Sequence, residues 1–116
     1  MKFSVLVAIV PEEVEQEAID CARDLGAGGM TVFSARGISN SVKKTFLGLT
    51  YDGSQTVLIM VLEKSLSVQI LKALQKVVTK EDNDSKGLIF TTSLEHLAGI
   101  DVSQVQKFEE HVKQSI

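Results

Sequence analysis

The sequence predicts an α+β domain in which one four-stranded antiparallel sheet packs against two helices. Four apolar runs have the length of β-strands, and two segments between them repeat apolar residues every three or four positions, as amphipathic helices do. The chain has 116 residues, of which 44% are hydrophobic and 23% are charged. This composition suits a globular chain with a real core. We therefore expect residues 1–116 to form a single domain.

The first strand and the first helix follow one another directly. Residues Phe3 to Val10 form a nearly continuous run rich in Val and Ile, which is typical of a buried strand. Pro11 ends this strand and suits the first turn of a helix, where Glu12 and Glu13 complement the helix dipole. Gly26 is the expected end of the helix. The apolar stripe of this helix consists of Val14, Ala18, Ile19, Ala22 and Leu25.

The second strand is predicted at Met30 to Ala35, and a long polar segment follows it. Residues 38–54 make a loop of about 17 residues, a length that is usually functional or disordered in a small domain. A hairpin is the alternative, because Val42 to Leu47 has strand character and Asp52-Gly53 is a turn signal. We expect a protruding, mobile loop.

The second half of the chain repeats the order of strand, helix and strand. Thr56 to Leu62 is the third apolar run, and Gly87 to Thr92 is the fourth. Ser65 is a suitable N-cap for the helix between them. The predicted apolar positions of this helix are Val68, Leu71, Ala73, Leu74 and Val78. After the fourth strand we expect a short helical turn at 93–97 and a final amphipathic helix at 101–114.

The order β-α-β-β-α-β, followed by a C-terminal helix, is that of the ferredoxin-like fold, in which both helices cover one face of the sheet. The strands are apolar on both sides, so the other face would be too hydrophobic to remain in contact with water. We therefore expect further copies of the chain to cover that face. The number of copies does not follow from the pattern.

Composition argues against several classes of function. Fifteen acidic and twelve basic residues give a net charge of -3, and no dense basic run is present, so we expect no binding of nucleic acid. No apolar segment approaches the ~20 residues of a membrane-spanning helix, so we expect no membrane insertion. The single cysteine, Cys21, cannot form an internal disulfide and suits a reducing cytoplasm.

Catalytic and metal-binding patterns are also missing from the sequence. It contains no H-x-E, HExxH, CxxC, GxSxG or Walker motif. His96 and His111 have no Cys, Asp or His at metal-ligand spacing, and we expect both to be exposed or capping residues. Cys21 lies near the inner edge of the first helix, where a quiet, partly buried thiol is expected. We therefore expect neither an enzyme nor a metalloprotein.

Three glycine-containing segments are candidates for ligand binding. Gly26 and Gly28-Gly29 follow a helix, so a helix C-cap and a tight turn explain them without a phosphate. Arg36-Gly37 at the base of the loop and Ser85-Lys86-Gly87 before the fourth strand could come together between neighbouring subunits. A cleft containing Arg36 and Lys86 would attract an anionic ligand, whereas solvated surface cations are the alternative.

The segment from Leu25-Gly26 through Gly29-Met30-Thr31-Val32, followed by Arg36-Gly37, resembles the corresponding segment of the P-II nitrogen-regulatory signalling proteins. The resemblance extends over most of the chain. The proline after the first strand, the long loop between the second and third strands, and the run Lys86-Gly87-Leu88-Ile89-Phe90 all have counterparts in that family.

This resemblance implies a cytoplasmic homotrimer with adenine-nucleotide sites in the clefts between subunits. Members of the family bind ATP, ADP or related ligands, sometimes with 2-oxoglutarate and Mg²⁺, and a long effector loop then docks on a membrane transporter or an enzyme. Carried over to this chain, Met30 and Thr31 would lie near the base of the nucleotide. Gly37 would mark the base of the effector loop at 38–54, and Gly87 would belong to the phosphate-side turn.

The chain departs from the family pattern at several positions. Ser85-Lys86-Gly87-Leu88 replaces the usual glycine-aspartate-glycine-lysine turn, and Ser39 to Ser41 replace the loop glutamine associated with Mg²⁺ and 2-oxoglutarate. Gln55 and Thr56 occupy the region of a family lysine, and residues 95–105 contain no arginine. Each lost charge-assisted contact is worth ~1.5–3 kcal/mol. ADP, AMP or a cyclic nucleotide is therefore favoured over ATP with 2-oxoglutarate.

The candidate ligand-binding residues are thus Met30, Thr31, Arg36, Gly37, Ser39, Ser85, Lys86 and Gly87. Two other functions use the same fold. A CutA-like or other non-nucleotide trimeric binding module is one, although the lack of clustered His, Cys or Met argues against a metal. An acylphosphatase-like hydrolase is the other, but Pro11-Glu12-Glu13 has the wrong charge for a phosphate loop after the first strand. Tyr51 is near a modifiable tyrosine of some P-II proteins, and an ordinary turn aromatic is the favoured interpretation.

Overall fold

The computed structural model describes residues 2–36, 45–46, 49–50, 54–79 and 87–99. Two helices lie in this part of the chain, α1 (Glu15–Asp24) and α2 (Lys64–Val78), and a 3-10 turn at Glu12–Val14 precedes α1. The strands are β1 (Phe3–Pro11), β2 (Thr31–Arg36), β3 (Thr45–Phe46), β4 (Leu49–Thr50), β5 (Ser54–Glu63) and β6 (Leu88–Ser93). None of the helices in these residues is long and apolar enough to cross a bilayer.

Four strands form one antiparallel sheet in the spatial order β2-β5-β1-β6. Val7 on the central strand β1 lies opposite Ile59 of β5 on one side and Phe90 of β6 on the other. The core under the helices joins residues of α1 and α2 to residues of β1 and β5. This is the ferredoxin-like arrangement, so the predicted fold class is confirmed.

The alternating burial of β1 explains how the sheet divides into two faces. Ser4, Leu6, Ala8 and Val10 are buried beneath the helices, while the residues between them are partly exposed on the other side. β5 adds Leu58, Met60 and Leu62 to the same core, α1 adds Ala18 and Ala22, and α2 adds Leu66, Ile70, Leu74 and Val78. Burying each of the larger aliphatic side chains stabilises the fold by about 1.5–3 kcal/mol. The larger side chains of α2 therefore contribute more to this core than the two alanines of α1.

The face of the sheet away from the helices is apolar, and we call it the open face. By strand register it consists of Val5, Val7, Ile9, Thr31, Phe33, Val57, Ile59, Val61, Leu88 and Phe90, with the polar Gln55 and Thr92 on the same side. Val57 and Gln55 are buried even in the single chain. Phe33 is 46% exposed and Phe90 is 43% exposed in the single chain. Contiguous apolar surface of this kind marks an interaction site in a globular protein.

The beginning of α2 differs from the prediction. Glu63 is the N-cap, and its Oε2 accepts a hydrogen bond of 3.1 Å from the backbone N–H of Leu66. Ser65 lies inside the first turn and is exposed, so its prediction as the cap is wrong. The buried stripe includes Leu66 and Ile70, whereas Val68, which was predicted on the apolar side, is 42% exposed.

Two further predictions concern segments outside the main sheet. Residues 94–99 contain no helix, so the predicted helical turn at 93–97 is wrong. The N–H of Leu94 instead donates to the carbonyl of Phe3 at 3.1 Å, which extends the pairing of β6 with β1. Within the segment 38–54, Thr45 pairs with Thr50 and Phe46 with Leu49, so this part contains a hairpin, the alternative to an irregular loop. The expected protrusion and mobility of the segment stay a prediction. The suggested turn at Asp52-Gly53 and the final helix at 101–114 lie outside the described residues.

Candidate functional site at the edges of the sheet

The chain leaves α1 through a Schellman motif centred on Gly26. The N–H of Gly26 donates to the carbonyl of Arg23 at 2.9 Å, and the N–H of Ala27 donates to the carbonyl of Ala22 at 3.0 Å. Gly26 has a φ of 117°, in the left-handed region that favours glycine, and Ala27 packs into the core. The predicted helix stop is confirmed, and no ligand is needed to explain this glycine.

The next two glycines have no such role in the single chain. Gly28 and Gly29 are exposed, and neither has a positive φ. A Cβ built on Gly29 would meet no atom within 4 Å. The space beside Gly29 is therefore open to another molecule.

Met30 and Thr31, which were both predicted to lie near a nucleotide base, have different surroundings. Met30 is partly buried and packs against the hydrophobic core. Thr31 begins β2, is exposed, and lies opposite Ile59 on the open face. Thr31 is thus the better placed of the two to contact a ligand.

Arg36 is exposed and is the last residue of β2, two residues before the segment 38–54. It lies opposite Ser54 at the start of β5. The next residue of β5, Gln55, is 3% exposed and lies opposite both Ala35 and Pro11. A buried, uncharged amide therefore occupies the region in which the family pattern has a lysine.

Gly87 is buried where β6 begins, against β1 and the end of α2. A Cβ at position 87 would lie 2.9 Å from the carbonyl oxygen of Ile9 and 3.0 Å from Cγ1 of Val78. The first distance is too short for a real contact with backbone, so packing alone requires glycine here. The resemblance implies that Gly87 belongs to a phosphate-side turn. The structure gives a separate reason for a glycine at this position, which is the close packing against Ile9 and Val78.

Arg36 and Gly87 lie at the same end of the sheet but on opposite edges. β2 and β6 are the two edge strands, and β5 and β1 separate them. Three strand spacings amount to about 14 Å, so Arg36 and the turn at Gly87 do not meet within one chain. Thr31 is five residues from Arg36 along β2, which is about 17 Å. A site that uses both edges needs a second copy of the chain.

The remaining candidates lie outside the described residues. They are Gly37, Ser39, Ser85 and Lys86, together with Tyr51 and His111. Their contribution to a site stays a prediction.

Cys21 and His96, the cysteine and the histidine in the described part of the chain, have different surroundings. Cys21 is partly buried, and burial, with smaller contributions from Asp24 and Glu17, raises the pKa of its thiol above the ordinary value of 9.0. Such a thiol stays protonated at neutral pH, as predicted for a quiet cysteine. His96 is exposed, in agreement with its prediction. Among the described residues, no three His, Cys, Asp or Glu side chains gather where they could hold a metal ion.

Sequence reasoning did not single out the aromatic residues of the open face. Phe33 on β2 and Phe90 on β6 belong to the two edge strands that border the candidate site. The sequence does indicate that Phe33 shares a face with Thr31, and Phe90 with Leu88, because side chains two residues apart in a strand lie on the same side of the sheet. The register between strands, which brings Phe90 beside Val7, could not be obtained from that alternation alone.

The fold and the site together define a class of protein. It is a ferredoxin-like domain with an open apolar sheet face and candidate ligand contacts on both sheet edges, which suits assembly from several copies.

The comparisons with known proteins place the chain in a family. The family model described as nitrogen regulatory protein P-II matches residues 3–104. The chain belongs to the P-II family, and the resemblance drawn from its sequence is confirmed. No curated protein sequence matches the chain.

Solved structures support the same fold at low sequence identity. A PII-like signaling protein from Thermus thermophilus is 17% identical with a TM-score of 0.60, and the match covers 81% of this chain and 87% of that one. CPII from Thiomonas intermedia K12, bound to ADP, AMP and acetate, is 17% identical with a TM-score of 0.60, covering 80% and 86%. The same protein bound to ADP, AMP and bicarbonate matches at 17% identity and a TM-score of 0.59, covering 86% and 98%.

Proposed function

We propose that this chain is a P-II-like signalling protein that binds an adenine nucleotide in clefts between the subunits of a cytoplasmic homotrimer. The observation on which this rests most is the placement of Arg36 and Gly87 at one end of the sheet on opposite edges. In a ring of copies the β2 edge of one chain meets the β6 edge of the next, which would bring these two parts together. Membership of the P-II family supports the same interpretation.

The open face supports assembly independently of any ligand. Its aromatic residues Phe33 and Phe90 are nearly half exposed in the single chain. Burial of apolar surface is worth about 25 cal/mol per Å², so packing these faces around a common axis would stabilise the assembly. We take three copies as the expected number.

The proposed ligand is ADP, AMP or a cyclic nucleotide rather than ATP with 2-oxoglutarate. Arg36 is the exposed cation that the described residues place beside the candidate cleft, and Gln55 offers a buried neutral amide nearby. A site with few cations favours a ligand with few phosphate charges. The similar protein CPII is bound to ADP and AMP, together with acetate or bicarbonate, which supports testing a small carboxylate or bicarbonate as a co-ligand.

A signalling role through residues 38–54 completes the proposal. Ligand contacts at Arg36 would shift the conformations of the adjoining segment, which would then dock on a membrane transporter or an enzyme. We propose no catalytic activity for the chain itself. Shortening residues 38–54 should leave assembly and nucleotide binding intact while abolishing nucleotide-dependent capture of the partner.

The test is a titration of AMP, ADP, cyclic AMP, and ATP with Mg²⁺ and 2-oxoglutarate, followed by calorimetry and thermal unfolding. A nucleotide at about 100 times its Kd should stabilise the folded protein by about 2.7 kcal/mol. Arg36→Gln should weaken binding, whereas Arg23→Gln is the matched control, since Arg23 is the chain's other arginine and is exposed on α1. Absence of heat and of a thermal shift with every nucleotide would refute nucleotide sensing. Equilibrium dialysis with Cu²⁺ would then test the CutA-like alternative.

A further inference from the structure

The two helices that cover the sheet have opposite charge. The 3-10 turn and α1 together contain six carboxylates and one arginine, whereas α2 contains three lysines and no acidic residue. The acidic residues are Glu12, Glu13, Glu15, Glu17, Asp20 and Asp24, and the lysines are Lys64, Lys72 and Lys76. The outer surface of the helical layer therefore has a negative half beside a positive half.

Some of these charges stabilise their own helices, since Oδ1 of Asp20 accepts a 3.0 Å hydrogen bond from Nε2 of Gln16 and Lys76 lies in the last turn of α2, where the dipole favours a cation. Other features of the pattern are unfavourable within the helices. Asp20 and Asp24 are exposed and four residues apart on α1, and Lys72 and Lys76 have the same spacing on α2. Like charges at this spacing repel one another and weaken a helix. Asp24 also ends α1, where the helix dipole disfavours an acid. Two neighbouring helices with this segregation are suited to a partner of complementary charge.

The geometry of the layer makes the surface complementary to itself. α1 follows β1 and α2 follows β5, and these two strands are antiparallel, so the helices run antiparallel side by side. A two-fold axis parallel to the helices places α1 of one copy against α2 of another, and α2 against α1. We propose that the helical layer is a contact between two copies of this chain, with the acidic α1 of each facing the basic α2 of the other.

This contact uses a different side of the molecule from the proposed subunit interface. The open face lies on the other side of the sheet, so both contacts can form at once and the proposal does not depend on nucleotide binding. A face about 22 Å long and two helix diameters wide covers about 450 Å² on each copy. The total of about 900 Å² is below the range of stable interfaces. The helical contact should therefore be weak and strongly dependent on salt, with Val68 the exposed apolar residue at its surface.

The first experiment measures the mass of the full chain by light scattering at low and high salt. Charges on protein surfaces are screened within about 3 Å at 1 M salt and act over about 30 Å at 0.01 M. The mass at low salt should be at least twice the mass at high salt. The high-salt particle serves as the reference, so the result does not depend on how many copies the open face joins. Equal masses in both conditions overturn the proposal.

Charge reversal then tests the pairing of α1 with α2. Lys72→Glu/Lys76→Glu makes both helices acidic, whereas Asp20→Lys/Asp24→Lys leaves α1 with two carboxylates and three cations. Each variant alone should keep the smaller mass at low salt. Glu95→Lys is the control, because Glu95 is exposed and belongs to neither helix but to the segment after β6, and this variant should still show the larger mass.

Mixing the two charge-reversed variants is the decisive measurement. In a mixed pair, the acidic α2 of the first variant faces the basic α1 of the second, and the unchanged helices also face opposite charges. The mixture should regain the larger mass at low salt although neither variant does so alone. A mixture that keeps the smaller mass contradicts the two-fold arrangement, and so does association of either variant by itself.

Discussion

Gly87 lies so close to β1 that a Cβ at this position would be 2.9 Å from the carbonyl oxygen of Ile9. The same Cβ would be 3.0 Å from Cγ1 of Val78, so Gly87, the residue just before β6, is held between a strand and the end of α2. A substitution at position 87 tests packing, because the carbonyl oxygen of Ile9 and the side chain of Val78 already occupy the space that a new side chain would need.

Gly87→Ala should destabilise the protein by about 1–3 kcal/mol, the usual cost of overpacking a core. Urea unfolding of wild type and variant measures the difference. Gly29→Ala is the matched control, since Gly29 is exposed, has no positive φ and has no atom within 4 Å of a new Cβ. It should leave the free energy of unfolding unchanged or raise it by about 0.4–1 kcal/mol. Equal destabilisation by both substitutions would contradict the observed packing of Gly87.

Glu63→Ala should lower the free energy of unfolding by about 0.5–2 kcal/mol, because α2 loses the carboxylate that accepts from the N–H of Leu66. Ser65→Ala should have little effect, since Ser65 is exposed within the first turn and is not the cap. Chemical denaturation followed by circular dichroism gives both values. A larger loss for Ser65→Ala than for Glu63→Ala would restore the capping role that the sequence suggested for Ser65.

Phe33→Gln should lower the mass of the particle measured by light scattering at high salt, because it places an amide in the open face. Val32→Gln is the control on the same strand. Val32 is 41% exposed, close to the 46% of Phe33, but it lies opposite Leu58 on the helical side of the sheet. The control should retain the wild-type mass. If both variants or neither lose subunits, the open face is not the interface.

Cys21 should react slowly with iodoacetamide at neutral pH, because burial and then Asp24 raise the pKa of its thiol above 9.0. The reaction rate should rise with pH through and beyond that value. Asp24→Asn removes the larger of the two electrostatic contributions and should speed alkylation at pH 8. Mass spectrometry of the labelled protein gives the rates. A rate that is already maximal at pH 7 would show a lowered pKa instead.

The raised pKa also fixes how Cys21 affects stability. The thiol of Cys21 binds its proton more tightly in the folded protein than in the unfolded chain. The contribution of this proton to the free energy of unfolding is therefore fully present below pH 9 and is lost as the pH rises through the folded-state pKa. Cys21→Ser removes this alkaline dependence.

Much of the fold could be predicted because strands and helices have separate apolar periods. The nearly continuous apolar run of β1 predicts a buried strand, whereas the packing of the helices decides that Ser4, Leu6, Ala8 and Val10 are its buried side. The buried side of α2 is harder to predict, because Leu66, Val68, Ile70 and Leu71 are all apolar and allow more than one buried stripe. Packing against β1 and β5 selects Leu66 and Ile70 and leaves Val68 outside.

The candidate site could be predicted less completely. The glycine-Met-Thr-Val segment indicates the β2 edge, but the distinction between Met30 in the core and Thr31 on the surface depends on how β2 pairs with β5. Gln55 is of a residue type found mostly at the surface, yet it is buried here. The separation of Arg36 from Gly87 follows from the strand order and not from any local pattern.

The division of the proposed site between the two edges of the sheet has a consequence for the amount of protein in the cell. A newly synthesised chain would be unable to sense its ligand until it met its neighbours, because no single copy has both edges of one cleft. Response would therefore begin above a threshold of abundance set by the affinity between subunits. Ligand and subunit binding would be linked, so the metabolite would also lower that threshold.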